Sequence, residues 1–290
     1  MPMAPAVIVD TVLRAYAEWG RGQDVGGEWK DIRGVPRATL YDALARGDRG
    51  MLATILCDPI GRKEWSGLFS HISAQDDHAA WMRITGETDD AILCYDGMFY
   101  PDAPRHDGEA YRLIASGARL IIDIGGGYGG LALQLHRRAP LTRYVDIDLA
   151  DTLYLAYGFL AAHCEAGTVA LGYDPLARLS LVPSHAVPLA VRRLRPDVVT
   201  NYRSFGEMSY TAVSEYFAMI AEWRPPRVVH ENASGFPRPD DVDAAAFAYP
   251  ELLTVQYPPL RGYVIRHGEL APWHAARGRY SRYELRRVIP

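Results

Sequence analysis

Leu120-Ile121-Ile122-Asp123-Ile124 is an apolar run carrying one acidic residue near its end, and Gly125-Gly126-Gly127-Tyr128-Gly129-Gly130 follows at once. Leu131-Ala132-Leu133-Gln134-Leu135 then continues as a helix. Strand, glycine loop and helix in that order put the loop at the carboxyl edge of an open α/β sheet. Glycine lets the backbone turn tightly and approach a ligand, while the helix start offers unpaired N–H groups and a positive dipole end. An adenosine-containing cofactor suits such an edge.

Two cofactor classes share this pattern. Gly125, Gly127 and Gly130 satisfy the G-x-G-x-x-G of a dinucleotide site. Asp123, Gly125, Gly127 and Gly129 satisfy the looser D-x-G-x-G-x-G of a site for S-adenosylmethionine (SAM). Asp123 favours the second, because a carboxylate there pairs with the ammonium of SAM and repels a pyrophosphate. The motif also begins beyond residue 115, whereas a dinucleotide domain often opens its chain.

The rest of the second part alternates between strand and helix. Further strands are expected at Arg143 to Asp148, Leu179 to Val182, Asp197 to Asn201 and Arg227 to Glu231, with a terminal hairpin drawn from the tail. Ser209 is an N-cap, Met208 can staple to Val213, and Val213, Tyr216, Phe217 and Ile220 fall at helical spacing. Ahead of residue 105, Ile8, Val12, Ala15, Tyr16 and Trp19 mark an amphipathic helix, and Gly20 to Gly34 reads as loop. Helices are expected near 39–46 and 51–56, with a break at Asp58-Pro59. Pro101 to Arg105 reads as a linker, because two prolines within four residues interrupt regular structure. This divides the chain into a mainly helical region, 1–105, shaping the acceptor site, and a cofactor-binding catalytic domain, 106–290.

Composition narrows the function. A net charge of −4 argues against general nucleic-acid binding. Cys57, Cys94 and Cys164 lack C-x-x-C spacing and point to a reducing compartment without disulfides or a zinc site. No basic, then apolar leader opens the chain, and no run reaches the ~18 to 20 apolar residues of a membrane span. A cytoplasmic protein is expected. The arginines Arg277, Arg279, Arg282, Arg286 and Arg287 read as a solvated face. Trp65, Trp81 and Trp223 read as core, His71 and His78 have no metal-ligand spacing, and Trp273-His274 takes no assigned role.

Asp148 closes its strand 21 positions after Gly127, the distance at which a carboxylate accepts both ribose hydroxyls of an adenosine. Asp146 is the rival, since residues two apart on a strand share a face. Ser184 and His185 sit where adenine would lie, or form a plain polar loop. Asn201-Tyr202-Arg203-Ser204-Phe205-Gly206-Glu207-Met208 follows the fourth strand, at the ligand-binding edge.

Taken together, I-G-G-G-Y-G-G, D-I-D-L-A-D, N-Y-R-S-F-G-E-M and V-V-H-E-N resemble the putative sugar O-methyltransferase family over roughly residues 110 to 235. Asp148-Leu149-Ala150-Asp151 departs from the usual D-L-P-E-like turn by lacking its proline. The resemblance implies a doubly wound, mostly parallel α/β sheet of the class I methyltransferase type, ending in an antiparallel strand and preceded by a helical region. It implies SAM as cofactor, at Asp123, Gly125, Gly127, Gly129, Asp148 and Asn201. The acceptor would be a hydroxyl of a sugar or glycosylated small metabolite, and a homodimer is expected from related folds. Transfer needs a base for the acceptor proton. His230 is the first candidate, as a neutral imidazole near pH 7, followed by Glu207 and Glu231. Arg203 and Asn232 would orient the acceptor. A divalent metal has no support from spacing, although Asp146, Glu207 and Glu231 could gather around one. An NAD(P)-dependent oxidoreductase would need a lysine-assisted proton donor, and Lys30 and Lys63 are the only lysines. A SAM-binding partner subunit without turnover is the other alternative.

Overall fold

A computed structural model of the chain describes residues 1–20, 34–57, 74–95, 98–99, 103–233, 254–270 and 280–288. The sequence-based loop at Gly20 to Gly34, the break at Asp58-Pro59, and Trp65, His71, Trp273 and His274 lie wholly or mostly outside those residues.

Among the described residues, four helices come first: α1 (Pro5–Trp19), α2 (Gly34–Arg46), α3 (Arg49–Cys57) and α4 (Ala74–Thr85). A short pair, β1 (Cys94–Tyr95) and β2 (Met98–Phe99), precedes α5 (Ala103–Ala115). The doubly wound part runs β3 (Leu120–Ile124), α6 (Gly130–Arg138), β4 (Arg143–Asp148), α7 (Ala150–His163), β5 (Val169–Leu171) and β6 (Leu179–Pro183). It continues with α8 (Leu189–Arg192), β7 (Val198–Tyr202), α9 (Tyr210–Trp223), β8 (Arg227–Ala233), β9 (Tyr263–Leu270) and β10 (Tyr280–Arg287).

The large sheet has the order β5-β6-β4-β3-β7-β8-β10-β9. It is parallel from β5 to β8, and β10 and β9 then close it antiparallel. The expected antiparallel ending is present. From β3 the chain winds outward through β4 to β6, then returns to β7 on the other side, so the winding reverses between β3 and β7. Ligands of open α/β sheets bind at the carboxyl end of that reversal.

Strand alternation sorts the core into two faces. Ile121, Tyr144, Val198 and Val229 pack with α1, α3, α5, α6 and α7, whereas Ile122, Val145, Val199 and Val228 pack under α9 with Phe205 and Trp223. The first core is continuous from the N-terminal helices to the sheet. Helix α7 is buried on every side, from Ala150 to Ala161, because α1 and α3 cover the flank away from the strands. Trp81 and Trp223 are core residues, as read from the sequence.

Two local readings change. Ala103 to Arg105 are not linker: they form the first turn of α5, with Pro104 inside it. Proline is tolerated there because first-turn N–H groups have no intrahelical partner. Residue 105 therefore lies within a helix. Strand β5 was missed, since three residues at a sheet edge carry too little periodicity to register.

Candidate active site

At the β3/β7 reversal the glycine loop takes left-handed backbone at Gly125, Gly127 and Gly129, with φ of 77°, 66° and 93°. Gly125 is also pressed against Ser204, which leaves no room for a Cβ, whereas a Cβ on Gly127 would meet nothing within 4 Å. The loop is thus packed at its start and open at its middle. Two carboxylates of β4 hold it from below. Asp146 Oδ1 accepts from Gly126 N at 3.0 Å, and Asp148 Oδ2 accepts from Gly127 N at 2.9 Å. Asp148 Oδ1 also accepts from Leu149 N at 2.6 Å. Asp146 is 0 % exposed, its Oδ2 has no partner, and burial, followed by the charges of Asp148 and Asp123, raises its proton affinity well above the carboxylate norm.

Asp123 lies beside Asp146 in the β3–β4 register. Its oxygens accept from Tyr144 Oη at 2.5 Å and Thr200 Oγ1 at 2.7 Å. Burial raises its pKa, and these two donors oppose that shift. The carboxylate expected to meet an ammonium is therefore already held inside the sheet by two side chains.

The turn after β7 is tied to the loop by amides. Asn201 donates to the Ile124 carbonyl at 2.7 Å and to Ser204 Oγ, while its Oδ1 accepts from Phe205 N and from Asn232 Nδ2 at 2.9 Å. Asn232 Oδ1 accepts from Gly206 N at 3.3 Å. Both side chains are buried, so Asn201 and Asn232 frame the crevice. Arg203 adopts φ 71°, unusual for a residue with a Cβ. Its N–H donates to the Glu231 carbonyl at 2.6 Å and its Nη2 approaches Glu231 Oε1 at 3.4 Å.

The sequence candidates for the base separate in space. His230 belongs to the α9 side, between the rings of Tyr257 and Tyr283 at 5.8 and 5.3 Å. Burial, then the charge of Arg282, pushes its pKa down to about 4. Glu231 points to the opposite face, the one that carries Asp123, Asp146 and Asp148. It is 0 % exposed and its Oε2 has no partner. Burial raises its pKa against the opposing pull of Arg203, with Glu109 adding to the rise. Glu207 ends the 3-10 turn Phe205–Glu207 and is half-buried.

Among solved structures, an O-methyltransferase family protein from Burkholderia thailandensis aligns with a TM-score of 0.51 at 15% identity, covering 95% of this chain and 82% of that one. The chain has the class I methyltransferase fold. The mitomycin 7-O-methyltransferase MmcR aligns with a TM-score of 0.49 at 16% identity, covering 97% of this chain and 95% of that one. No protein-family model matches the chain, and neither does any curated protein.

On this methyltransferase fold the structure adds residues that the sequence did not single out. Glu109 of α5 is buried and accepts from Tyr202 Oη at 2.9 Å, Arg282 Nε at 3.3 Å and Arg112 Nη1 at 3.2 Å. His106, one turn earlier, shares a hydrogen bond with Tyr128 Oη at 3.2 Å through Nδ1, and Arg105 Nη2 donates to its Nε2 at 3.1 Å. Burial and the charges of Arg105 and Arg203 keep this imidazole neutral. Arg105 ends the stretch that reads as linker and His106 follows it directly, so neither points to a site in the sequence, although Glu109, at helical spacing from both, was a usable signal. Among the described residues no group of three or more His, Cys, Asp and Glu side chains is placed to hold a metal ion, and no helix is long and apolar enough to cross a membrane.

Proposed function

We propose that this chain is a SAM-dependent O-methyltransferase acting on a hydroxyl of a sugar or glycosylated small metabolite in natural-product biosynthesis, in the cytoplasm. The observation that carries the reading is the pair Asp146 and Asp148 holding consecutive amides of a left-handed glycine loop at the sheet reversal. The residues fit the cofactor. Gly127 leaves open space above the loop, and Asp146 presents a buried oxygen with no partner beneath it. Bound there, SAM would supply a methyl group already activated by a cationic sulfur, so the donor itself needs no metal to activate it.

Asp148 is the ribose acceptor in this reading, with Gly125, Gly127 and Gly129 shaping the loop. Asp123 contributes negative charge, and Asn201 braces the crevice. Glu231 is the base that takes the acceptor proton. Its free oxygen and raised proton affinity suit that task. His230 is too weak a base at about 4 and faces the other side of the sheet. Glu207 stands at the rim. Arg203, bonded to Glu231, orients the acceptor, and Asn232 holds the turn that carries Arg203.

Isothermal titration of the purified chain with SAM and, separately, with NAD(H) tests the reading. Micromolar SAM binding that Asp148→Ala abolishes supports it, and transfer to a glycoside panel then supports the acceptor class. Binding of NAD(H) instead returns the loop to the dinucleotide class. SAM binding without any transfer favours a partner subunit.

A further inference from the structure

Three carboxylates line one face of adjacent strands at the glycine loop. Asp123 and Asp146 are register partners across β3 and β4, and Asp148 follows two residues on. They differ in how well their charge is met. Asp123 accepts from two side-chain hydroxyls, and Asp148 accepts from two backbone amides. Asp146 accepts one bond, from Gly126 N, and its second oxygen is buried without a partner. The loop sits directly on it, since a Cβ at Gly126 would lie 2.7 Å from the carboxyl. The charges acting on Asp146 are those of Asp148 on its own strand and Asp123 on the neighbouring one, both negative. Tyr144 of β4 and Tyr216 of α9 also feel its charge, and neither supplies a cation. A buried, half-satisfied carboxylate between two others is the one of the three that keeps a proton when the site is empty.

We propose that Asp146 makes the cofactor site selective for charge: the empty site holds a proton on Asp146, and that proton leaves to solvent when a sulfonium is bound, but stays when the neutral thioether product is bound. This rests on the SAM reading above. The exchange balances, because one positive charge enters the site as one proton leaves it. SAM and S-adenosylhomocysteine (SAH) carry the same ribose, adenine and amino-acid arm, and they differ in the methyl group and the positive charge it places on sulfur. Discrimination between them favours release of product.

Calorimetric titration of SAM and of SAH, each at about pH 6 in two buffers of different ionisation heat, counts the protons released. The wild-type chain is expected to release close to one proton with SAM and close to none with SAH. Asp146→Asn keeps an oxygen for Gly126 N and should abolish the difference, lowering the SAM-to-SAH affinity ratio about tenfold. Asp148→Asn should weaken both ligands and, because it removes one of the two negative charges beside Asp146, shrink the proton difference without abolishing it. Equal proton counts for the two ligands in the wild-type chain overturn the proposal, and that measurement requires no variant to fold. An unchanged affinity ratio in a folded Asp146→Asn variant overturns it as well. If neither SAM nor SAH binds, the SAM reading itself fails and this inference falls with it.

Discussion

Arg138 at the end of α6 and Asp107 of α5 meet as a fork, with Nε donating to Oδ1 at 2.6 Å and Nη2 donating to Oδ2. The same guanidinium donates to both oxygens of Glu87, at 2.9 and 2.8 Å, and Trp81 Nε1 donates to Asp107 Oδ2 at 2.7 Å. One arginine therefore joins α6 to α5 and to the segment just after α4, while Trp81 ties α4 to the same carboxylate, and together they fix the helix that carries His106 and Glu109.

Removing it leaves the Asp107 carboxylate buried without its cation, which costs more than the pair contributed. Arg138→Met should lower unfolding free energy by about 3 to 5 kcal/mol, measured by urea denaturation. Asp107→Asn in the same chain should recover part of the loss, because the uncompensated charge is gone. A double variant as unstable as the sum of the singles would show that the two side chains do not act as a unit.

The glycine loop yields a contrast between two positions with similar backbone. Gly127→Ala puts a methyl group into open space at φ 66°, so only the left-handed backbone is penalised, at about 1 kcal/mol. Gly125→Ala meets Ser204 as well, and Ser204 cannot retreat while it bonds Asn201 and the Ile124 carbonyl. Its loss should exceed that of Gly127→Ala by about 1 to 3 kcal/mol. Thermal unfolding of the two variants decides the order.

Much of this frame was legible in the sequence because the central strands are buried on both faces and appear as short apolar runs ended by Pro, Gly or Asp. Ser209 donates its capping role where expected, accepting from Ala212 N at 3.2 Å. What stayed hidden depends on pairs distant in the chain. Glu109 meets Arg282, 173 residues away, and no local pattern announces that contact. His230 and Glu231 were both visible as candidates, but facing direction follows from strand register, which single-residue chemistry does not supply.

That facing predicts unequal roles. Glu231→Gln should retain SAM binding and reduce methyl transfer by about 10² to 10⁴-fold, whereas His230→Gln should change transfer less than about tenfold. Since Glu231 must be ionised to accept a proton and its pKa is raised, wild-type transfer should fall as pH falls through that raised value. Equal losses in the two variants would sink the assignment of the base to Glu231.

His230 instead affects stability. Its pKa is 6.5 in an open chain and about 4 when folded, because burial and Arg282 disfavour the imidazolium. Between those values the unfolded chain binds a proton that the folded chain refuses, so stability declines as pH falls through the window and levels off below it. The share of His230 is about 3 kcal/mol. His230→Gln removes this share, so its stability relative to wild type should rise by about that amount from pH 7 to pH 4. Urea denaturation at several pH values checks it, and a pH-independent difference would contradict it.

Gly158 decides how the N-terminal helices sit on the large sheet. It lies in the middle of α7, where a Cβ would collide with the backbone carbonyl oxygen of Leu56 in α3. Backbone cannot rotate away as a side chain can, so α3 must move bodily to admit even a methyl group. Leu52, Ile55 and Leu56, now buried in the shared core, would lose part of their packing. Gly158→Ala should therefore cost about 1 to 3 kcal/mol, although alanine is the better helix former by about 1 kcal/mol. Limited proteolysis should cut the variant faster within 34–57 than the wild-type chain, while the sheet from β3 to β8 keeps its protection. Faster cutting spread evenly over the whole chain would mean that α3 and the sheet unfold together rather than separating at Gly158.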